Sequence, residues 1–247
     1  MPCTAAQTAR YARHLALKEI GEEGQEKLFQ ASALLVGVGG LGSPAALYLA
    51  AAGVGRLGLI DNDTLDASNL QRQVLYSTED LGRWKAQAAA DRLISLNPDV
   101  RPDVIPGKLT PENGLALVAA YDVVLDCTDS LQTKALLNDL CVKAGTPLLH
   151  AGIREFFGQT ITIIPGKSAC YQCVFGAPPD DVPDDGPPRG PLGALPGIIG
   201  TVQATEAIKL ILDLGNLLTD RLFTYDALSM SVRVIGVKRR EDCPCCG

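Results

Sequence analysis

The stretch Ala33-Leu34-Leu35-Val36-Gly37-Val38-Gly39-Gly40-Leu41-Gly42-Ser43-Pro44 decides how this chain is read. Its first four residues form a short, unbroken apolar run, the pattern of a strand buried on both faces. Gly37, Gly39 and Gly42 then set a G-x-G-x-x-G turn, which bends tightly and brings backbone N–H groups against phosphate at a helix N-terminus. Ser43-Pro44 offers a cap and a first helical residue, and an apolar helix follows to about Ala52. Gly53–Gly55 ends it, and Arg56–Asp61 reads as a second strand closed by an acidic residue, Asp61, suited to bond ribose hydroxyls. The unit is β-α-β. A dinucleotide site and a mononucleotide site are both open at this point.

The alternation continues outward. Thr4 to Gln30 reads as helical, Lys85–Leu96 as a helix ended by Asn97-Pro98, Val100–Pro106 as a strand and Gly114–Ala120 as a helix. Asp122–Asp126, Pro147–His150 and Gln159–Ile164 read as strands, with a helix over Ser130–Ala144. Segment 176–197, crowded with Pro, Gly and Asp, breaks the pattern; it is either a linker or a loop that orders around a partner. A helix over Gly200–Leu214, capped by Thr201, and strands over Leu222–Tyr225 and Ser231–Val237 complete the chain. This predicts an α/β fold, Rossmann-like and doubly wound, with a mostly parallel sheet extended by late antiparallel strands.

Composition narrows the classes. The chain has 247 residues, 47% of them hydrophobic, so it buries a full core without covalent staples. Its net charge is −6 and its densest basic run is only Lys238-Arg239-Arg240, which argues against nucleic acid as a partner. Residues 31–55 carry no charge, but their glycines and Pro44 read as strand, turn and helix rather than as a membrane span. Met1-Pro2-Cys3-Thr4 leads into polar sequence without the apolar core of a secretory leader, so a cytoplasmic location is expected.

In that setting the cysteines suggest metal rather than disulfides. Cys170 and Cys173 form one C-x-x-C pair. Cys243 and Cys246 keep the same spacing, with Cys245 between them. Four thiolates of this kind make a structural Zn2+ site with no open position for chemistry.

Chemistry gathers after the second strand. Asp61-Asn62-Asp63-Thr64-Leu65-Asp66-Ala67-Ser68-Asn69-Leu70-Gln71-Arg72-Gln73 is dense in polar groups, and Lys85 follows on the next helix. Arg72 and Lys85 neutralise a triphosphate, and Asp129, closing Asp126-Cys127-Thr128-Asp129, suits Mg2+. Two cations, a carboxylate and a glycine loop fit nucleotidyl transfer, which neutralises charge at the transferred phosphorus. Other groups read more plainly: His14 as a surface residue, Trp84 as packing, Cys127 as an inert thiol. His150 ends a strand near the site and is a candidate for substrate contact.

Together these stretches resemble the ThiF/MoeB/HesA adenylyltransferases, relatives of the ubiquitin-activating enzymes. The resemblance rests on Arg10-Tyr11-x-Arg13, GVGGLGSPAALYLAAAGVG at 37–55, DNDTLDASNLQRQ at 61–73, Lys85, DCTDS at 126–130, CYQC at 170–173, GIIGTVQATEAIKL at 197–210 and the C-terminal cysteines. It implies one adenylation domain over 1–247: an N-terminal helical region (1–30), a nucleotide-binding part (31–165), and a part with the crossover loop, the zinc site and the carrier-binding surface (166–247).

It also implies that ATP–Mg2+ adenylates the C-terminal glycine of a small ubiquitin-like sulfur carrier ending in Gly-Gly, releasing pyrophosphate. Gly40, Asp61, Ser68, Asn69, Gln71, Arg72, Lys85, Asp129 and Ser130 fall in the nucleotide site. Arg13 matches an arginine that enters the neighbouring subunit's site, so a homodimer is implied, and the diglycine tail threads beside 176–197.

Two departures stand out. Ser130 replaces the usual Asn, and Gly186 stands where many members have a crossover-loop cysteine, with none anywhere in 174–242. The chain is therefore expected to stop at the acyl-adenylate and leave sulfur to a separate sulfurtransferase. A ThiS-like carrier of thiazole biosynthesis is favoured over a MoaD-like one. Two readings from other classes remain: an NAD-dependent oxidoreductase, which leaves Arg72, Lys85 and Asp129 without a task, and a zinc-stapled binding module without chemistry.

Overall fold

The computed structural model describes residues 3–178 and 190–247. Eight strands form one sheet: β1 (Ser32–Val36), β2 (Arg56–Ile60), β3 (Arg101–Ile105), β4 (Val123–Asp126), β5 (Leu148–Arg154), β6 (Phe157–Ile163), β7 (Arg221–Asp226) and β8 (Ser231–Gly236). Their order is β3-β2-β1-β4-β5-β6-β7-β8. The pairings among β1 to β5 are parallel, and those from β5 through β8 are antiparallel. The α/β architecture with late antiparallel strands is the one expected.

The apolar run of β1 divides its side chains between two cores. Ala33 and Leu35 pack under α3 (Gly42–Ala52), α4 (Lys85–Leu96) and α8 (Ala194–Leu212), with Leu49, Leu93 and Ile199 fully buried. Leu34 and Val36 face α5 (Pro111–Ala119), α6 (Leu131–Ala144) and α7 (Tyr171–Phe175), with Leu137 and Leu148 fully buried. Both faces are covered, as an unbroken run requires.

Several boundaries differ from the sequence reading. The N-terminal helical region is two helices, α1 (Ala5–Leu15) and α2 (Gly21–Gln30). Thr4 caps the first through a capping box with Gln7, and Gly21 takes φ +55° at the start of the second. Helix α3 begins at Gly42, so Ser43 is its second residue rather than its cap, and its hydroxyl is buried. Trp84 does not pack in the core; it is 61% exposed.

Helix α8 starts at Ala194, well before Gly200, with Gly193 as its cap. Thr201 lies inside it and donates to the carbonyl of Gly197 (2.7 Å). Pro196 is tolerated because it sits in the first turn, where no intrahelical N–H bond is lost. Gly200 lets the helix close on the glycine turn: a Cβ there would lie 2.3 Å from the carbonyl oxygen of Leu41. The reading of 176–197 as non-helical therefore fails from Ala194 onward, and its middle, 179–189 with Gly186, lies outside the described residues. The uncharged stretch 31–55 folds as β1, the turn and α3. The helix Ala194–Leu212 is long and apolar enough to cross a membrane by length and composition alone, and half of it is buried inside this fold.

Candidate active site at the carboxyl edge of the sheet

The carboxyl ends of β1, β2, β4 and β5 open into one cleft of about 1040 Å³. Gly37, Gly39, Gly40, Asp61, Asn69, Arg72, Lys85, Asp129 and Ser130 all line it. The glycine turn is possible only without side chains at two points. Gly37 has φ +89°, and a Cβ on Gly42 would sit 2.2 Å from the carbonyl oxygen of Gly37. Asp61 ties the turn to β2: Oδ2 accepts from the N–H of Val38 (2.9 Å) and Oδ1 from that of Asp63 (3.0 Å). Burial pushes its pKa up, against those two N–H groups and Lys85, which lower it. Each oxygen keeps lone pairs for a ribose hydroxyl. Tyr76 steadies the turn from below by donating to the carbonyl of Val38 (2.8 Å).

The two cations are placed by different means. Arg72 is half-buried and donates from Nη1 to the carbonyl of Ser68 (3.1 Å). Lys85, the first residue of α4, has a side chain only 7% exposed, and its Nζ lies 3.0 Å from Oδ2 of Asp63. Asp129 is exposed and makes no hydrogen bond or ion pair among the described residues. Four expected residues do not line the cleft: Gly42, which packs against Gly37 inside the turn, Ser68, Gln71 and Arg13. Ser68 and Gln71 are exposed beside it, where Ser68 seats Arg72 and Gln71 packs on Gly193. Arg13 lies on the exposed side of α1.

A buried polar network under the cleft escaped the sequence reading. Asp126, at 0% exposure, receives Lys134 Nζ (3.2 and 3.3 Å), the hydroxyl of Thr128 (2.8 Å) and His150 Nδ1 (2.7 Å). Lys134 also donates to the carbonyl of Ala151 (2.6 Å), and Gln203 Nε2 donates to the carbonyls of Asp126 (3.0 Å) and Leu149 (2.9 Å). Full burial would push the Asp126 pKa up. Lys134, then His150 and Thr128, outweigh it and hold the carboxyl down at about 2. Burial lowers the pKa of His150, against Asp126, which raises it. His150 thus lines the cleft as a neutral ring. Burial, with the Asp126 charge, raises the Cys127 thiol, which agrees with an inert role.

The thiols of Cys170, Cys173, Cys243 and Cys246 all lie within 4.8 Å of one another. Cys170 and Cys173 are 3.8 Å apart, Cys170 and Cys243 3.6 Å, and Cys173 and Cys246 3.5 Å. Four sulfurs bound tetrahedrally to one zinc would stand roughly 3.8 Å apart, so the donor set fits. Cys245 is not one of the four; it lies beside Cys170 and accepts from Asn138 Nδ2 (3.1 Å).

A glycine-turn cleft at the carboxyl edge of a parallel sheet, carrying two cations and exposed carboxylates, defines an α/β nucleotide-binding protein equipped to handle phosphate. The model of the ThiF family matches residues 11–245. The chain is 44% identical over 245 residues to the SAMP-activating enzyme E1 of Haloferax volcanii, covering 98% of this chain and 90% of that one. It is 43% identical over 256 residues to the sulfur carrier protein adenylyltransferase of Thermus thermophilus, covering 100% of this chain and 93% of that one. Among solved structures, E. coli MccB with succinimide superposes with a TM-score of 0.85 at 24% identity, covering 96% of this chain and 74% of that one, a likeness of fold. The chain belongs to the ThiF family, the adenylyltransferases of the ThiF/MoeB type.

Proposed function

We propose that this protein uses ATP to adenylate the C-terminal glycine of a small ubiquitin-like sulfur carrier. The observation that carries this reading is the convergence of Gly37, Gly39, Gly40, Arg72, Lys85 and Asp129 on one cleft. The names of the Haloferax and Thermus relatives point the same way. The terminal carboxylate attacks the α-phosphorus of ATP, the bond to the β-phosphate oxygen breaks, and pyrophosphate leaves. The glycine turn and the N-terminus of α3 hold the phosphates, and Arg72 and Lys85 neutralise charge as it builds on them. Lys85 is held ready by Asp63 and buried enough for its charge to be felt. Asp129 is the residue that would hold Mg2+: an exposed carboxylate on the cleft wall suits a hard cation. When bound, Mg2+ neutralises phosphate charge.

Arg13, which does not line its own chain's cleft, is assigned to the neighbouring subunit's site in a homodimer. The chain has no cysteine in 174–242, so the reaction ends at the acyl-adenylate and a separate sulfurtransferase completes the transfer, in the cytoplasm. A ThiS-like carrier is favoured over a MoaD-like one. The four-thiolate cluster is assigned a structural Zn2+ that ties the C-terminus to α7. An NAD-dependent oxidoreductase would leave both cations without a task, and a binding module would leave the whole cleft without one.

Incubation with ATP, Mg2+ and carrier, followed by hydroxylamine, tests the proposal. Mass spectrometry of the carrier should find a C-terminal hydroxamate that requires ATP. An unmodified carrier of both types would overturn the reading.

A further inference from the structure

The strongest unexplained feature of the cleft is a nitrogen. His150 is 1% exposed, yet its Nε2 has no hydrogen-bond partner among the described residues. A buried acceptor left unpaired costs its full desolvation, so such a group in a cleft wall points to a ligand. The chemistry of Nε2 is fixed from the other side of the ring. Asp126 is an ionised carboxylate that can only accept, and it sits 2.7 Å from Nδ1. The ring proton therefore resides on Nδ1, and Nε2 presents a lone pair. The ring cannot turn away. Tyr171 and Phe175 of α7 pack against it at 4.8 and 5.3 Å, and Lys134 and Gln203 pin Asp126.

Position selects the donor. Val36, Asp126 and His150 are register neighbours across β1, β4 and β5. Strands stand about 4.8 Å apart, so His150 lies roughly 10 Å to the side of the glycine turn. That is beyond the phosphate cradle, on the arm left for the acyl substrate. Beside it, Gly152 puts no side chain into the cleft: a Cβ there would already stand in contact range, 3.6 Å from Gln159 Nε2 and 4.0 Å from His150 Nε2. An arm without a side chain at Gly152, with the unpaired His150 acceptor on its wall, suits an extended main chain that offers N–H groups and no side chains.

We propose that His150 is a positioning residue for the acyl substrate, its Nε2 accepting a hydrogen bond from a backbone N–H of the diglycine tail. The assignment rests on the proposed function and adds to it the residue that reads the tail.

The test uses the full chain with labelled ring nitrogens. Its histidines number 2, so the spectrum is simple. A synthetic peptide ending in Gly-Gly is added with AMPCPP, beside analogues carrying sarcosine at either glycine, which lack that N–H. The Nε2 resonance should begin as an unprotonated nitrogen and shift with the Gly-Gly peptide. One sarcosine analogue should fail to shift it. In ATP–pyrophosphate exchange with ThiS-type and MoaD-type carriers, His150→Asn keeps a donor toward Asp126 and loses Nε2. It should raise the KM for the carrier about three- to tenfold and leave the KM for ATP unchanged. Peptide binding with an unmoved or protonated Nε2 overturns this inference alone. ATP binding with no binding of peptide or carrier overturns it together with the proposed function.

Discussion

Asp126 shows how far a single residue was legible. Its motif, DCTDS, drew attention to Asp129 at the cleft, while the neighbour three positions earlier anchors the floor. Nothing in the sequence around Lys134 marks it out from other helical lysines. Its burial depends on the carbonyl of Ala151 on another strand, a pairing that no local pattern encodes. Removing one partner of a buried pair leaves the other charge uncompensated. Lys134→Met should therefore cost about 3–5 kcal/mol in denaturant unfolding, far more than an exposed lysine substitution. The same network sets a pH dependence. His150 is held below its ordinary value of 6.5, so below pH 6.5 the unfolded chain takes up a proton that the folded ring refuses. Stability should fall as pH drops through 6.5, and His150→Asn should flatten that slope in thermal unfolding. Asp126 acts lower. Its contribution is complete above the ordinary 3.8 and lost as pH falls through about 2.

At the scale of elements, the periodic pieces and the glycine turn match the sequence reading, and the glycine- and proline-rich start of α8 does not. Helix α4 spans Lys85–Leu96, the range its apolar spacing predicts. Helix α8 was cut short because Gly193, Pro196, Gly197 and Gly200 look like punctuation. Gly200 is there because α8 presses against Leu41 and Pro44 at the start of α3, a contact that replaces intrinsic propensity. Gly42→Ala should distort the glycine turn that leads into α3, since its Cβ would lie 2.2 Å from the carbonyl oxygen of Gly37; loss of nucleotide binding in calorimetry checks this. The thiol cluster is legible in spacing alone, and the structure separates Cys245 from it through Asn138. Metal analysis should find zinc retained in Cys245→Ser and lost in Cys246→Ser, with a lowered Tm only in the second. Because α7 begins beside Cys170 and carries Tyr171 and Phe175, zinc loss should also loosen the packing around His150.

For the molecule as a whole, the parallel strands β1, β2 and β4 place the glycine turn, Asp61, Arg72, Lys85 and Asp129 at one edge of the sheet. That edge was foreseeable, because doubly wound sheets bind ligands at strand carboxyl ends. Arg13 was legible only as a motif. It does not line the cleft of its own chain. If it acts across a dimer, Arg13→Ala and Arg72→Ala proteins should each be inactive and regain part of the activity when mixed as heterodimers. The measurement that tests the central claim most directly is carrier-dependent ATP–pyrophosphate exchange by wild type, Arg72→Ala and Asp129→Ala. Exchange that requires a Gly-Gly carrier and falls about 100-fold or more in both variants is the expected result. Exchange that persists in both variants, or none with either carrier type from a folded, ATP-binding wild type, would contradict it.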